Sequence, residues 1–391
     1  MTSLQRGIVT LIRSAITGER YDLPPDFEIE QVYAEAVRHQ IQPMVYIGAI
    51  KCGVAKDLPT MRRLFQAYCN FLRHSDGQIK TVECICNAFD EGGIDYLPLK
   101  GSNLKKLYPE AELRLMGDAD ILIKVEQYDQ IRNILAGIGM EEQSECDHVI
   151  EWDTKTLHLE LHKRLVPSYD KDYYKYFGDG WERARLKERH EFELATEDEF
   201  VFIFTHFAKH YRDGGIGCRH VTDLWVYRRA YPEMDETYIV GELSKLRLDA
   251  FYRHMMRMLE VWFYDGDEDE KSRFITNYIF AGGVWGKFET RIVAGVAKDV
   301  QTAGSFAGGY MARVREMLFP ELLVMKQKYP VLNKVPVLLP VCWGVRWVSA
   351  ALFRRENIAA QRTKIKTASR DKIENFQQAL NYVGLDFHFK E

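Results

Sequence analysis

The feature that most constrains the fold of this chain is a change in the spacing of its apolar residues. Before about residue 90 they recur at helical intervals, as at Ile41, Met44 and Val45. From about residue 94 they alternate with polar residues as in β-strands, and after about residue 195 the helical interval returns. A length of 391 residues allows two to three domains of about 150 residues each. We therefore predict an α+β fold in which a small mixed-sheet core at 91–195 is flanked by helical regions at 1–90 and 196–391.

The predicted elements around this core have clear limits in the sequence. A long helix is expected from about Thr60 to Asp90, because the pair Gly92-Gly93 follows it. Strands are expected in IDYLPL, in LMGDADILIKV and in TLHLELHKRL, and a further helix in YDQIRNILAGIGM. Strands mixed with helices in this way indicate a sheet that helices cover.

Charge and cysteine content narrow the class of protein. With 53 Lys and Arg against 57 Asp and Glu, the net charge of -4 excludes a protein whose whole surface binds nucleic acid. The seven cysteines are scattered, and we interpret them as buried thiols of a protein in a reducing compartment.

Arg6 and Arg13 interrupt the N-terminal segment, so it lacks the apolar stretch of a secretory signal. No run of about 18 uncharged apolar residues offers a transmembrane helix. The sequence therefore predicts a cytoplasmic protein.

Three acidic residues fall on the polar faces of two predicted strands. Alternation in GDADILI puts Asp118 and Asp120 on one face and the apolar residues on the other. In TLHLELHKRL the same rule groups Glu160 with His158 and His162. Unpaired carboxylates that converge repel each other and raise each other's pKa unless a cation lies between them. The pattern therefore predicts a site for a hard divalent cation, Mg²⁺ or Mn²⁺.

A Gly-Ser pair begins a short predicted helix directly after the first predicted strand. Backbone N–H groups at such a helix start point towards solvent and suit phosphate oxygens, and Gly101 would let a phosphate approach the backbone closely. Alone, the pair Gly101-Ser102 is a weak signal. The order of a strand, a Gly-Ser turn, an Asp-x-Asp strand and a later strand with one glutamate is much more specific.

This order resembles the DNA polymerase β-like nucleotidyltransferase superfamily. The details are similar to one branch of it, the uncharacterised bacterial nucleotidyltransferase-like family, in LPLKGSNLKKLYP, in Arg114, in DADILI and in LHLELHKRL. The resemblance extends over residues 30 to 230 or so and includes the helical segment THFAKHYRDGGIGCRHVTDL.

The resemblance implies an enzyme that moves a nucleoside monophosphate from a nucleoside triphosphate (NTP) such as ATP to a hydroxyl group of an unknown acceptor. Asp118, Asp120 and Glu160 would bind Mg²⁺ or Mn²⁺ and form the catalytic set. Gly101 and Ser102 would hold the triphosphate. Further candidates for neutralising phosphate charge are Lys100, Lys105 and Arg114. The alternative is a non-catalytic module of the same fold that senses a nucleotide or binds a partner protein.

The histidines and one charged pair each keep more than one interpretation. His158 and His162 either contact the substrate or a metal ligand, or lie on an ordinary solvated strand face. His206 and His210, four residues apart, either line the groove between the helical and catalytic parts, pack as core histidines, or bind zinc. Arg219 and Asp223, also four apart, form an intrahelical ion pair or bind substrate.

A strongly apolar segment with basic residues lies at 335–372. It is interpreted as a solvated face beside a buried helix, with peripheral membrane contact or a patch for a polyanion as the other hypotheses. Its basic residues are Arg346, Arg354, Arg355, Arg362, Lys364, Lys366, Arg370 and Lys372.

Overall fold

A computed structural model describes residues 1–168, 170–283, 288–353 and 370–386 of the chain. The α-helices in these residues are α1 (Ser3–Thr17), α2 (Val32–His39), α3 (Gln42–Lys51), α4 (Pro59–Gly92), α5 (Lys100–Lys106), α6 (Tyr128–Gly137), α7 (Lys171–Phe177), α8 (Thr196–Asp213), α9 (Cys218–Ala230), α10 (Glu236–Lys245), α11 (Asp249–Phe263), α12 (Glu270–Gly282), α13 (Phe288–Ala303), α14 (Phe306–Leu318), α15 (Leu322–Lys328), α16 (Val331–Lys334), α17 (Leu339–Phe353) and α18 (Arg370–Tyr382). The strands are β1 (Tyr96–Leu99), β2 (Asp118–Ile123), β3 (Glu141–Glu145), β4 (Val149–Asp153), β5 (His158–His162), β6 (Ala184–Glu188) and β7 (Glu191–Leu194).

The strands form one mixed sheet in the order β3-β4-β5-β2-β1-β7-β6. At its centre β2 runs parallel to β5 and antiparallel to β1, and β1 runs parallel to β7. The hairpins β3-β4 and β6-β7 extend the sheet at its two edges. The α+β fold with helices on both sides of a mixed-sheet core is therefore confirmed.

Local sequence signals set the limits of the long helix that precedes the sheet. Proline is favourable in the first turn, where its missing N–H needs no partner, and Pro59 begins α4. The helix ends at Gly92 and is capped by Gly93, whose φ of 66° lies in the left-handed region that glycine adopts without strain. The helix expected from about Thr60 to Asp90 is thus confirmed, and so are the three predicted strands of the core.

The two faces of the sheet pack against different helices. On one face Ala119 and Ile121 of β2 and Leu159 of β5 are buried against Phe89 of α4 and Ile131 of α6. This is the apolar side that the alternation predicts, so the polar residues between them point to the other face. Further along the strands that other face is also apolar and belongs to a larger cluster with α8, α9 and α11.

The larger cluster contains residues from all three predicted regions. It runs from Ile8 in α1 through Leu122 in β2 and Phe200 in α8 to Leu380 in α18. The helices before and after the sheet thus share a core. The division at residues 90 and 195 stays a prediction.

Two sequence expectations concern cysteines and membranes. All seven cysteines are free thiols, but only Cys218 and Cys342 are buried and Cys84 is exposed, so the prediction that they are buried is wrong for most of them.

Within the described ranges, no helix combines the length and the apolar character that crossing a bilayer requires. The cytoplasmic location stays a prediction. Much of the basic stretch that follows α17, residues 354–369, lies outside the described residues.

Candidate active site

The register of two central strands brings the predicted acidic residues together. Asp120 of β2 lies directly opposite Glu160 of β5, and Asp118 lies opposite His158. Because β2 and β5 are parallel neighbours, side chains at paired positions point to the same face of the sheet. The convergence of Asp118, Asp120 and Glu160 expected from the alternation is therefore present in the structure.

These carboxylates line a cavity of about 320 Å³ between the sheet and the helices that follow it. The sheet side contributes Asp118, Asp120, Glu160 and His162, and the turn after β1 contributes Lys100 and Gly101. The opposite wall comes from α8, α9 and α13, and its polar and charged residues are His206, Lys209, His210, Asp213, Arg219, His220, Asp223 and Arg291. The cavity thus has an acidic floor and a wall rich in basic groups.

Asp120 is the most completely buried of the three carboxylates and is held in its ionised form. Its Oδ1 lies 2.8 Å from His162 Nε2 and accepts a hydrogen bond from Lys100 Nζ at 3.3 Å. Burial favours the neutral acid, but the Lys100 charge and the His162 hydrogen bond outweigh burial and lower the pKa of Asp120. Asp120 therefore presents a carboxylate to the cavity.

The pKa of Asp118 is shifted in the opposite direction to that of Asp120. Burial raises the pKa of its carboxyl group, and the negative charges of Asp120 and Glu160 raise it further. A bound cation would relieve this repulsion, because it favours the ionised form of every carboxylate around it.

The ligand atoms of Asp120, Glu160 and His162 lie within 4.8 Å of one another, which is close enough for one metal ion. Two of these residues supply the oxygen ligands that Mg²⁺ and Mn²⁺ prefer. The third is the imidazole of His162, whose Nε2 also lies 3.3 Å from Glu160 Oε2. The residues present thus fit a divalent cation. Asp118 lies beside this group but is not part of it.

His162 connects the two strand carboxylates. Burial disfavours its charged form, but hydrogen bonds to Asp120 and Glu160 raise the pKa of the ring. The predicted contact of His162 with the acidic set is therefore present. His158 differs, because its Nδ1 lies 2.6 Å from Asp153 Oδ1 on the neighbouring strand β4 and it does not line the cavity.

The turn between β1 and α5 has an unusual backbone. Lys100 adopts a φ of 36°, a region that residues with a Cβ rarely occupy, and such strain tends to occur at functional sites. At Gly101 a Cβ would meet Arg114 Nη1 and Met116 Cγ, each at 3.3 Å. Glycine at this position therefore allows the turn to pack closely against the segment that leads into β2.

The other residues expected to bind phosphate around this turn lie deeper. Ser102 is buried, does not line the cavity, and its hydroxyl lies 3.9 Å from Met116 Sδ. Lys105 is also buried and donates from Nζ to the Arg114 carbonyl oxygen at 3.1 Å. Burial lowers the pKa of Lys105 to about 8. Lys100 and Gly101 of this turn thus line the cavity, whereas Ser102 and Lys105 do not.

Arg114 forms an ion pair with a buried carboxylate of the C-terminal helical region. Its Nε and Nη2 donate to the two oxygens of Asp223 in α9 at 2.7 and 3.0 Å, and Nη1 donates to the Gly101 carbonyl oxygen at 3.3 Å. Tyr108 donates to the same Asp223 at 2.8 Å. The intrahelical pair that the spacing of Arg219 and Asp223 suggests is therefore replaced by a pair between the mixed-sheet core and α9. Arg219 instead donates to Gln40 Oε1 and to the Leu115 carbonyl oxygen.

His206 and His210 of α8 line the cavity, which agrees with the hypothesis that they line a groove beside the sheet. His206 Nε2 and His210 Nε2 are 2.8 Å apart, and His220 of α9 lies beside them. Burial, first of all, and the nearby lysine charges lower the pKa of His206 strongly and that of His210 to about 3. The metal-capable groups found among the described residues do not include either histidine, which gives the zinc hypothesis no support.

Sequence reasoning missed several residues of the cavity wall. Lys209, His220 and Arg291 carry no local signal, because they lie on helices and reach the cavity only through the packing of α8, α9 and α13 against the sheet. Lys209 and His220 lie within the helical segment THFAKHYRDGGIGCRHVTDL that carries part of the resemblance, so that segment was the available clue. Arg291 lies outside it.

Comparison with known proteins adds one finding. A family model described as an uncharacterised nucleotidyltransferase matches residues 25–264, more than half of the chain. The matched range includes the acidic floor and the α8 and α9 wall, but not Arg291 in α13. Searches of curated proteins and of solved structures found no significant match.

Proposed function

Because the chain belongs to the family of uncharacterised nucleotidyltransferases, we propose that it is a Mg²⁺- or Mn²⁺-dependent enzyme of the DNA polymerase β-like superfamily. It would move a nucleoside monophosphate from an NTP to a hydroxyl group of an acceptor. The observation that carries this proposal is the pairing of Asp120 with Glu160 across adjacent strands, with Asp118 beside them, at the floor of a cavity with a basic wall.

Asp118, Asp120 and Glu160 would hold the cation or cations. When bound, divalent cations would neutralise phosphate charge and lower the pKa of an attacking hydroxyl group. The raised pKa of Asp118 supports this role, because burial and the negative charges of Asp120 and Glu160 disfavour its carboxylate in the protein alone. His162 would position Asp120 and Glu160 through its ring nitrogen.

The reaction is an in-line displacement at the α-phosphorus. The acceptor hydroxyl oxygen forms a bond to the α-phosphorus, the bond to the bridging oxygen of the β-phosphate breaks, and pyrophosphate leaves. Glu160, which is less buried than Asp120, would orient the acceptor hydroxyl or accept its proton. Lys100 would lie near the transferred phosphate, since its Nζ already contacts Asp120.

The basic wall would bind the remaining phosphate charge. A triphosphate needs several cations, and Lys209, Arg219 and Arg291 all face the cavity from the helices opposite the carboxylates. Arg219 is the strongest candidate, because its buried Nε has no hydrogen-bond partner in the described part of the chain. Burial and the charge of Arg114 also lower the pKa of Arg219, so a phosphate would stabilise its charged form. Lys209 is already paired with Asp170 at 2.7 Å and would contribute less.

Replacing Arg219 by alanine is expected to weaken NTP binding by about tenfold or more, because hydrogen bonds between charged groups contribute about 1.5–3 kcal/mol. Isothermal titration calorimetry with Mg²⁺ and the preferred NTP measures this. Arg229→Ala is the matched control, since Arg229 is an exposed arginine of the same helix. Equal affinities of Arg219→Ala and the wild type would remove Arg219 from the phosphate site.

The nucleotide itself is the quickest test of the proposed function. Each of the four ribonucleoside triphosphates is added with Mg²⁺, and the melting temperature is compared with that in EDTA. At a concentration of about 100 times Kd, a ligand that binds only the folded state stabilises the protein by about 2.7 kcal/mol. At least one triphosphate is therefore expected to raise the melting temperature, and only when Mg²⁺ is present. If none does so with either Mg²⁺ or Mn²⁺, the protein is not an NTP-dependent transferase.

A further inference from the structure

The C-terminal part of the described chain exposes an apolar surface that the proposed reaction does not use. Val341, Val345 and Val348 of α17 are 61%, 53% and 59% exposed, and Val337 in the turn before it is 79% exposed. Their spacing of three and four residues puts the helical members on one side of the helix. We call these four residues the valine face. Val324, Val331 and Val335 extend the exposed apolar surface in the segment before it.

Packing on the opposite side of α17 keeps the valine face turned outward. Cys342 is buried in a small apolar cluster with Met325 and Leu332, separate from the main core. The indole nitrogens of Trp343 and Trp347 donate to the carbonyl oxygens of Pro320 and Leu318 at 3.0 and 2.8 Å. The exposed valines therefore belong to a helix that is fixed by its other side, so their exposure does not come from an unpacked segment.

The segment that carries this face is positively charged. From residue 322 to residue 353 the sequence contains no aspartate or glutamate, and its basic residues are Lys326, Lys328, Lys334 and Arg346. An apolar face on a positively charged segment suits an anionic lipid surface. The cations attract the lipid headgroups, and the apolar side chains enter the boundary between headgroups and acyl chains.

We propose that the valine face and the cations of its segment bind the surface of an anionic phospholipid bilayer. The same charges disfavour the other simple partner, a second copy of this chain. In a symmetric dimer each valine face would meet its own counterpart, so two segments whose charged residues are all basic would come together and repel each other. An anionic bilayer offers both an apolar layer and negative charge.

The test is co-sedimentation of the full-length protein with lipid vesicles. The wild type is expected to bind vesicles of phosphatidylcholine mixed with phosphatidylglycerol at least about tenfold more tightly than vesicles of phosphatidylcholine alone, and to bind less tightly as salt is added. Val341→Asp combined with Val345→Asp is expected to lower the affinity for the anionic vesicles by about tenfold or more. Both positions are exposed, so the fold should tolerate the changes, which circular dichroism checks.

Two further variants make the result specific. Val125→Asp with Leu186→Asp adds the same charge at apolar residues of similar exposure, 51% and 59%, far from α17 in the sequence, and should bind as the wild type does. Lys328→Glu with Lys334→Glu leaves the valines intact and should remove the preference for anionic lipid. Equal binding by the valine variant and its control would overturn the proposal. A wild type that binds no vesicles, but forms a dimer that the valine variant abolishes in sedimentation velocity, would overturn it in favour of a second copy.

Discussion

Replacing both Asp118 and Asp120 by asparagine is expected to abolish nucleotide transfer and the Mg²⁺-dependent part of NTP binding. Asparagine has nearly the shape of aspartate but lacks its charge, so the variant loses the negative pair that the cation requires. Replacing residues that only support metal ligands lowers metal affinity by about 10- to 100-fold. The loss of two proposed ligands should therefore exceed a hundredfold or so in Mn²⁺ affinity, which electron paramagnetic resonance of free Mn²⁺ measures.

The two substitutions should have opposite effects on the stability of the unliganded protein. Asp118 has a raised pKa in the folded protein, so its negative charge at neutral pH opposes folding, and the neutral asparagine removes that penalty. Asp120 has a lowered pKa, so its charge favours folding, and Asp120→Asn weakens its pairing with Lys100 and His162. Loss of function would then be separated from loss of fold by the melting temperature in EDTA. The control is Asp153→Asn with Asp129→Asn, which removes two charges from the same part of the chain without touching the cavity lining.

The reaction itself is followed with NTPs labelled at the α-phosphate and a small-molecule extract as the source of acceptor. The wild type should release pyrophosphate and transfer the label, and the control should do the same. Retention of most of the transfer activity by the Asp118, Asp120 variant would disprove the proposed catalytic set. Loss of activity together with full retention of Mn²⁺ binding would instead assign the metal to other residues, of which Glu151, His158 and Glu160 form a second suitable group.

The acidic floor was predictable from sequence because its signal is local. Strands alternate with a period of two, so the apolar residues Ala119, Ile121 and Leu159 fix which neighbours point to the cavity. The register of β2 with β5 is a long-range property, but the expectation that the carboxylates converge needed only that these two strands be neighbours. The same local logic found α4, with a proline at one end and two glycines at the other.

The edge strands were not predictable in the same way. All five residues of β3 are exposed, and most of β6 is exposed as well. A strand with no buried side has no apolar alternation, so its sequence does not differ from that of a polar loop. The hairpins β3-β4 and β6-β7 form through backbone hydrogen bonds to neighbours that the sequence pattern does not identify.

The partner of Asp223 shows why the basic residues of the cavity wall could not be predicted from the sequence either. The sequence offers Arg219, one helical turn away, as the obvious partner, whereas the carboxylate binds Arg114, 109 positions earlier. Tertiary packing thus decides which arginine is neutralised and which keeps a nitrogen without a hydrogen-bond partner among the described residues. This exchange converts Arg114, a predicted phosphate ligand, into a link between the sheet and α9, and makes Arg219 the better phosphate candidate.

This link between the sheet and α9 is expected to be a major contributor to stability. Arg114 and Asp223 are 6% and 4% exposed, and both guanidinium-to-carboxylate hydrogen bonds are short. Removing one partner of a buried ion pair leaves the other charge without compensation and destabilises proteins by about 3–5 kcal/mol. Asp223→Ala should therefore lower the free energy of unfolding by about that amount, as measured by urea denaturation. Asp76→Ala is the control, because Asp76 pairs with Lys80 on the exposed side of α4 and should change stability little.

A double-mutant cycle separates the ion pair from the rest of the network. Asp223 also accepts a hydrogen bond from Tyr108, and Arg114 also donates to the Gly101 carbonyl oxygen, so each single variant loses more than the pair. Once Asp223 is gone, the Arg114 charge is itself unfavourable, and removing it as well should restore part of the stability. The variant with both Arg114→Ala and Asp223→Ala is therefore expected to be less destabilised than the sum of the single variants, by about 0.5–3 kcal/mol. Strict additivity would mean that the two residues stabilise the protein independently, and that the contact between the mixed-sheet core and α9 does not depend on their charges.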